Sequence, residues 1–216
     1  MTMDKDLERL IKYIRKEDVA LFIGSGFSFK AGAPHVCDII EAILKEGGDD
    51  FSRDNKGKNL RDVTESFVKH CDGRNDLITL LNKLFCFEHR DNSDQILLTK
   101  IPHIKTIFTT NYDTLLEDAY NQSERVVITS NEGSSYYDER KVNIYKVHGD
   151  ITTLNAPDGI IITYSDYKNY FTTGRYELIW EKLKLTFSQK HMLFIGYSLE
   201  DDNILEIIKT VRACIG

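Results

Sequence analysis

Short runs of consecutive apolar residues alternate along the chain with stretches whose apolar residues recur every third or fourth position. The first pattern is that of strands buried on both faces of a parallel sheet, the second that of amphipathic helices packed on it. Residues 19–23 (VALFI), 105–109 (KTIFT), 125–129 (RVVIT), 142–147 (VNIYKV) and 192–195 (MLFI) are of the first kind. Residues 7–14 carry Leu7, Leu10, Ile11 and Ile14 on one helical stripe. Further helices are expected at 37–45, 60–70, 76–87, 113–120, 164–170, 177–187 and 204–211. Residues 159–163 are apolar and β-branched. Residues 47–50 and 52–58 are polar and turn-rich, so a loop is expected there. Residues 132–140 read as a polar loop with a tyrosine pair. The alternation predicts an α/β fold, a Rossmann-like parallel sheet flanked by helices. Residues 47–101 are expected to form a small helical lobe inserted in it.

Composition narrows the class. A chain of 216 residues fits one domain, here 1–216, with room for that lobe. At 41% hydrophobic and 29% charged it has the balance of a soluble globular protein. The net charge of −6 does not indicate direct nucleic-acid binding, which favours basic surfaces. No apolar run approaches the roughly 18 residues of a membrane helix. The N-terminal stretch MTMDKDLERLIKYIRKED is charged and helical, unlike a signal peptide, so a cytoplasmic location and no membrane partner are expected. Cys37, Cys71, Cys86 and Cys214 show no C-x-x-C spacing and no histidine partner, which predicts reduced thiols, no metal and no zinc module. The chain stops at Cys214-Ile215-Gly216 without a terminator. That fits the N-terminal part of a longer protein, or a sheet completed in another way.

Chemistry concentrates just past the ends of the apolar runs. Four motifs stand there: GSGFSFKAGAP (24–34), FTTNYD (108–113), KVHGD (146–150) and LFIGYSLED (193–201). Open α/β sheets bind ligands outside the carboxyl ends of their strands, so these clusters are expected to face one ligand. In the first, Gly24, Gly26 and Gly32 permit close backbone approach, and strand, loop and helix in succession aim N–H groups at an anion. Ser25 and Ser28 add hydroxyls. A dinucleotide pyrophosphate suits the loop, and a tight structural turn is the bland alternative. The Rossmann fingerprint is not met, because its third glycine would fall at Phe29, and no G-x-x-x-x-G-K is present.

In the second motif, Asp113 fits a helix cap as well as a ligand contact. Asn111 offers donor and acceptor together, suited to a ribose hydroxyl, a water or a carboxamide. His148 follows a strand and precedes Gly149, which should leave the imidazole uncrowded; proton transfer near neutral pH is its natural work. Gly196 and Ser198 would let an adenosine ribose approach the backbone. Asp201 and Asp202 read as helix caps.

On these residues the chain resembles the sirtuin (SIR2) family. GSGFSFKAGAP is similar to that family's GAGxSxxxGIP loop, TTNYD to TQNID, VHG to the catalytic His-Gly, and GYS to GTS. The likeness runs in order from near residue 20 to near residue 200. The zinc-binding C-x-x-C pairs of sirtuin deacylases are absent, and Pro34-His35-Val36-Cys37 stands where those enzymes continue as PDFR. The zinc-free form resembles the SIR2-like domains of prokaryotic anti-phage defence proteins.

The resemblance implies NAD+ as substrate, no metal, and NAD+ glycohydrolase activity yielding nicotinamide and ADP-ribose, with defence by NAD+ depletion. Gly24, Ser25, Gly26 and Ser28 would then hold the pyrophosphate, with Pro34 and Thr110 also at the cofactor. Gly196 and Ser198 would line the adenosine end, and Asp113 would anchor the carboxamide. Asn111 would orient the ribose or the attacking water, and His148 would be the general base. The alternatives are an NAD-dependent protein deacylase and a catalytically silent NAD or ADP-ribose-binding regulatory module. A homo-oligomer, or a fused or paired sensor or activator module, is expected as the restraint on a toxic activity.

Overall fold

The structure is a computed structural model and describes residues 4–86, 91–156, 159–169, 174–199 and 202–215. Its centre is a sheet of 5 strands in the order β3-β4-β2-β1-β5. These are β1 (Val19–Ile23), β2 (Thr106–Thr109), β3 (Arg125–Ile128), β4 (Val142–Lys146) and β5 (His191–Ile195). Every pairing is parallel, with Phe22 level with Phe108 and Phe194, and Phe108 level with Tyr145. All five expected apolar runs are therefore strands of one sheet.

Both faces of the sheet are covered, which is why the runs are continuous and not alternating. On one face Phe22, Phe108 and Tyr145 pack against Ile179, Trp180 and Leu183 of α9 (Glu177–Gln189) and Ile204 and Ile207 of α10 (Asp202–Ile215). On the other, Leu21, Ile23, Ile107 and Ile144 meet Leu10, Tyr13 and Ile14 of α1 (Lys5–Arg15). Leu98 of α6 (Ser93–Thr99) and Leu116 of α7 (Leu115–Ala119) complete that layer. The switch of face between Leu21 and Phe22 is the period-2 geometry of a strand.

A third core lies among helices. Ile39 and Ile43 of α2 (Val36–Glu46), Phe51 of α3 (Gly48–Asn55), Val63 and Phe67 of α4 (Leu60–His70) and Leu77 and Leu81 of α5 (Asn75–Phe85) pack together. Residues 159–163 run into this layer. Ile160 and Ile162 join the helical core while Ile161 joins the sheet core, so the segment wedges between them and adds no strand. Among the described residues it makes the isolated bridge Gly149↔Ile160.

The structure departs from expectation in several places, among them a short helix at Ser93–Thr99, a 3-10 turn at Glu132–Tyr136 and a longer last helix, Asp202–Ile215. Residues 48–55 are helical, not a loop. A positive φ of 84° at Gly48 turns the chain straight from α2 into α3. Buried Phe51 then anchors the helix, Asn55 donates to the Phe51 carbonyl at 2.8 Å, and Asp49 and Asp50 suit the positive helix start. α7 begins at Leu115, not at 113, because Asp113 stands before the first turn and caps it from outside. Phe87 and Tyr170, expected as helix ends, lie outside the described residues, as does Asp201. Asp202 opens α10.

Candidate active site

The sheet order sets the four motifs side by side. β4, β2, β1 and β5 are consecutive neighbours, and their carboxyl ends lead to His148, Asn111, Gly24 and Gly196. The strand that carries no motif, β3, takes an outer position.

The glycine loop and the end of β5 pack backbone against backbone. Gly24 N–H donates to the Ile195 carbonyl at 3.0 Å and Gly26 N–H to the Gly196 carbonyl at 2.9 Å. Gly196 has a φ of 62°, and a Cβ on it would overlap the Phe27 amide. A Cβ on Gly24 would meet Tyr197 at 2.7 Å. These amides are committed within the protein, so the glycines serve close packing of two loops in place of the expected N–H cradle. Below the loop, Gln95 donates to the Phe27 carbonyl at 2.8 Å, and Lys30 reaches Ser93 at 2.9 Å. Ser25 lines the cavity described next. Ser28 is fully buried and accepts a hydrogen bond from the Asn111 amide nitrogen at 3.0 Å.

Asn111 joins the second strand end to that loop. Its Nδ2 also donates to the Gly24 carbonyl at 3.1 Å, and its backbone N–H donates to Thr109 Oγ1 at 3.0 Å. A carbonyl partner fixes the amide orientation, since only the nitrogen can donate. Asn111 Oδ1 is buried and has no hydrogen-bond partner among the described residues. An orphaned acceptor of this kind costs stability, so a ligand or water that donates to it is favoured there.

Asp113 accepts from the Leu115 N–H at 3.1 Å, which is the capping role, and also lines the cavity. His148 is buried, 2% exposed. Its carbonyl accepts from Ile161 N–H at 2.9 Å, and its Nδ1 lies 3.5 Å from the Tyr167 hydroxyl. The two rings meet edge to face at 5.2 Å. Gly149 is also required by its own backbone and surroundings. Its φ is 72°, and a Cβ would collide with the Gly159 carbonyl and lie 2.8 Å from the Tyr176 hydroxyl.

These residues enclose a cavity of about 130 Å³. Its lining combines polar residues, Ser25, Thr110, Asn111, Asp113 and His148 with Tyr112 and Tyr167, and apolar ones, Ala33, Pro34, Val36, Ile39, Leu60 and Phe85. The volume is below the roughly 300–1,000 Å³ of drug-sized sites, so it suits one ring and its immediate attachment. Gly196 and Ser198 stand outside it, exposed at the neighbouring strand end. A larger cleft of about 540 Å³ lies at the opposite sheet edge, around Lys105, Tyr120 and Arg140. Its Asp138–Arg140 pair is a local surface contact, and none of the motif residues reaches it. Convergent polar groups favour the smaller cavity. Among the described residues no group of three His, Cys, Asp or Glu is placed to hold a metal ion.

Sequence reasoning placed Pro34 at the site but missed Val36, Ile39, Leu60, Phe85, Tyr167, Tyr112 and Lys146. Val36, Ile39, Leu60 and Phe85 read as core positions of their helices. Tyr112 lies inside a recognised motif, and donates to the Ile161 carbonyl at 2.7 Å. The signal for Lys146 was present, a lysine inside an otherwise buried strand.

Residues 105–216, more than half the chain, match a family model described as a SIR2-like domain. NAD(+) hydrolase ThsA from Acinetobacter baumannii (strain 532279) is 28% identical over 212 residues, which cover 95% of this chain and 42% of that protein. The ThsA of Cytobacillus dafuensis is 28% identical, over 100% of this chain and 43% of that protein. Defense-associated sirtuin 2 of Bacillus subtilis is 25% identical, over 98% of this chain and 21% of that protein. The chain thus spans less than half the length of these relatives. A solved chain described under "Structural Basis for the Mechanism and Regulation of Sir2 Enzymes" superimposes with a TM-score of 0.51 at 13% identity, over 97% of this chain and 83% of that one, a likeness of fold.

Proposed function

The chain belongs to the SIR2-like domain family, and on that footing we propose that it hydrolyses NAD+ to nicotinamide and ADP-ribose as an effector of prokaryotic anti-phage defence. The observation that carries this reading is the pairing of the orphaned Asn111 Oδ1 with His148 on the wall of a cavity of single-ring size. The names of the ThsA relatives, which cover nearly all of this chain, support it.

The nicotinamide ring enters the cavity against Val36, Ile39, Leu60 and Phe85, with its carboxamide at Asp113. The pyrophosphate runs out past Ser25 and the glycine loop, and the adenosine end lies along Gly196 and Ser198. Ser28 acts from behind, holding Asn111 to the loop. The C1′–N1 bond breaks with its electron pair going to the ring nitrogen, so nicotinamide leaves neutral and needs no acid. The ribose becomes oxocarbenium-like. Water adds at C1′, held by Asn111 Oδ1, and His148 accepts the proton released. Net, NAD+ and water give nicotinamide, ADP-ribose and a proton. Positioning and preorganised dipoles carry most of the rate, because the leaving group is already activated. A sensing module, fused or paired, or assembly into an oligomer restrains the activity.

Incubation of the purified protein with NAD+ and chromatography of the products tests the reading. Nicotinamide and ADP-ribose in equal amounts are expected without any added peptide. Nicotinamide release only in the presence of an acetylated peptide would replace hydrolysis with deacylation.

A further inference from the structure

Lys146 is fully buried, two residues before His148. Its ammonium touches three separate segments. Nζ donates to the Asp113 main-chain carbonyl at 2.5 Å, lies 2.8 Å from Glu117 Oε1 on α7, and stands 3.9 Å from Asp150 Oδ2 just beyond His148. Glu117 and Asp150 are themselves buried. Burial alone would push the Lys146 ammonium down. The carboxylates of Glu117, Asp150 and Asp113 outweigh that, hold it above its ordinary value and keep it charged. Burial pushes the Glu117 carboxyl up, against the opposing pull of Lys146.

Burying an ammonium is costly, and an apolar side chain in a strand core is usually as stable as a buried ion pair. The ion pair has to be explained by what it connects. It joins the segment bearing Asp113, the helix that Asp113 caps, and the turn that follows His148. Asp150 is fixed in turn by the Thr152 N–H at 2.9 Å, and its own N–H donates to Thr153 Oγ1 at 3.1 Å. A displaced ammonium therefore shifts the ends of β2 and β4 against each other.

We propose that Lys146 is a positioning residue of this site, which sets Asp113 and His148 in register across the cavity by clamping the Asp113 carbonyl, Glu117 and Asp150 at one point. This role rests on the hydrolase reading. It deepens that reading by adding a residue that touches no substrate.

The test pairs Lys146→Met with Glu117→Leu, which replaces the buried ion pair by apolar groups of similar volume. A second pair, Lys146→Gln with Glu117→Gln, keeps hydrogen-bonding groups in the same space and guards against misfolding of the first. Melting temperature, ADP-ribose affinity by calorimetry, and kcat and KM for NAD+ are read for each. The expected result is a folded protein with a lower melting temperature, since Asp150 loses its counter-charge, an ADP-ribose affinity close to wild type, and kcat lower by roughly 10²-fold with KM changed far less, as small misplacements of reacting groups produce. Wild-type kcat in either folded double variant overturns the role while leaving the hydrolase reading intact. A wild-type protein that releases no nicotinamide overturns the hydrolase reading, and the role with it.

Discussion

Asn111 and Ser28, 83 residues apart in sequence, are joined by a 3.0 Å hydrogen bond from the asparagine amide nitrogen to the serine hydroxyl. With the second donor bond to Gly24, this commits the amide nitrogen and leaves the Asn111 carbonyl oxygen as the buried acceptor without a partner among the described residues. Ser28 thus helps to set which atom of Asn111 is left to accept a hydrogen bond.

Ser28→Ala removes one of the two bonds that orient Asn111. It should cost about 1 kcal/mol of stability and lower kcat several-fold, read by a urea melt and steady-state kinetics. Asn111→Asp puts a carboxylate oxygen against the Gly24 carbonyl and removes both donors. The expected loss is about 1–3 kcal/mol, with turnover abolished. A folded, active Asn111→Asp protein would refute the orientation.

Gly149→Ala tests the packing behind His148. A side chain there meets the Gly159 carbonyl and must hold a φ of 72°. The left-handed conformation alone costs about 1–3 kcal/mol, and the overlap adds to it, so a sharp fall in midpoint or in soluble yield is expected. A variant as stable as wild type would mean that the segment at Gly159 yields readily.

Arg74 and Asp166 bolt α8 (Tyr164–Asn169) to the helical layer through two hydrogen bonds of 2.7 and 2.9 Å. Asp166 also accepts from Ile162 and Thr163 N–H at 3.0 and 2.9 Å. Asp166→Ala should cost about 1–3 kcal/mol through these lost charge-assisted bonds. It should also lower kcat about tenfold, because Tyr167 then no longer holds its place beside His148. Tyr167→Phe separates the effects. The ring stays, so stability changes little, while the contact to His148 Nδ1 is lost and kcat falls. Unchanged kcat in both variants would place Tyr167 outside the site.

The architecture was legible where physics acts locally. Val19–Ile23 is apolar throughout and Val142–Lys146 is buried along its whole length, as strands covered on both faces of a parallel sheet are. His148, Asn111, Gly24 and Gly196 were each placed past a strand end, and the strand order sets those four ends side by side. What escaped depends on partners distant in sequence. α3 looked like a loop because its polar residues carry a single large apolar anchor, Phe51, whose pocket is built by Phe67 and other helical residues. Tyr167 meets His148 from a helix whose Asp166 is held by Arg74, 92 residues away. Gly26 looked like a phosphate donor because its bond to Gly196 comes from the far end of the chain.

The most direct measurement is nicotinamide release from NAD+ by the wild-type protein beside His148→Ala and Asn111→Ala, each checked for its fold by thermal melting. Release by wild type, reduced about 10²–10⁴-fold in folded His148→Ala as removal of a general base requires, and comparably in Asn111→Ala, is the expected result. Wild-type rates in either folded variant would contradict hydrolysis at this cavity.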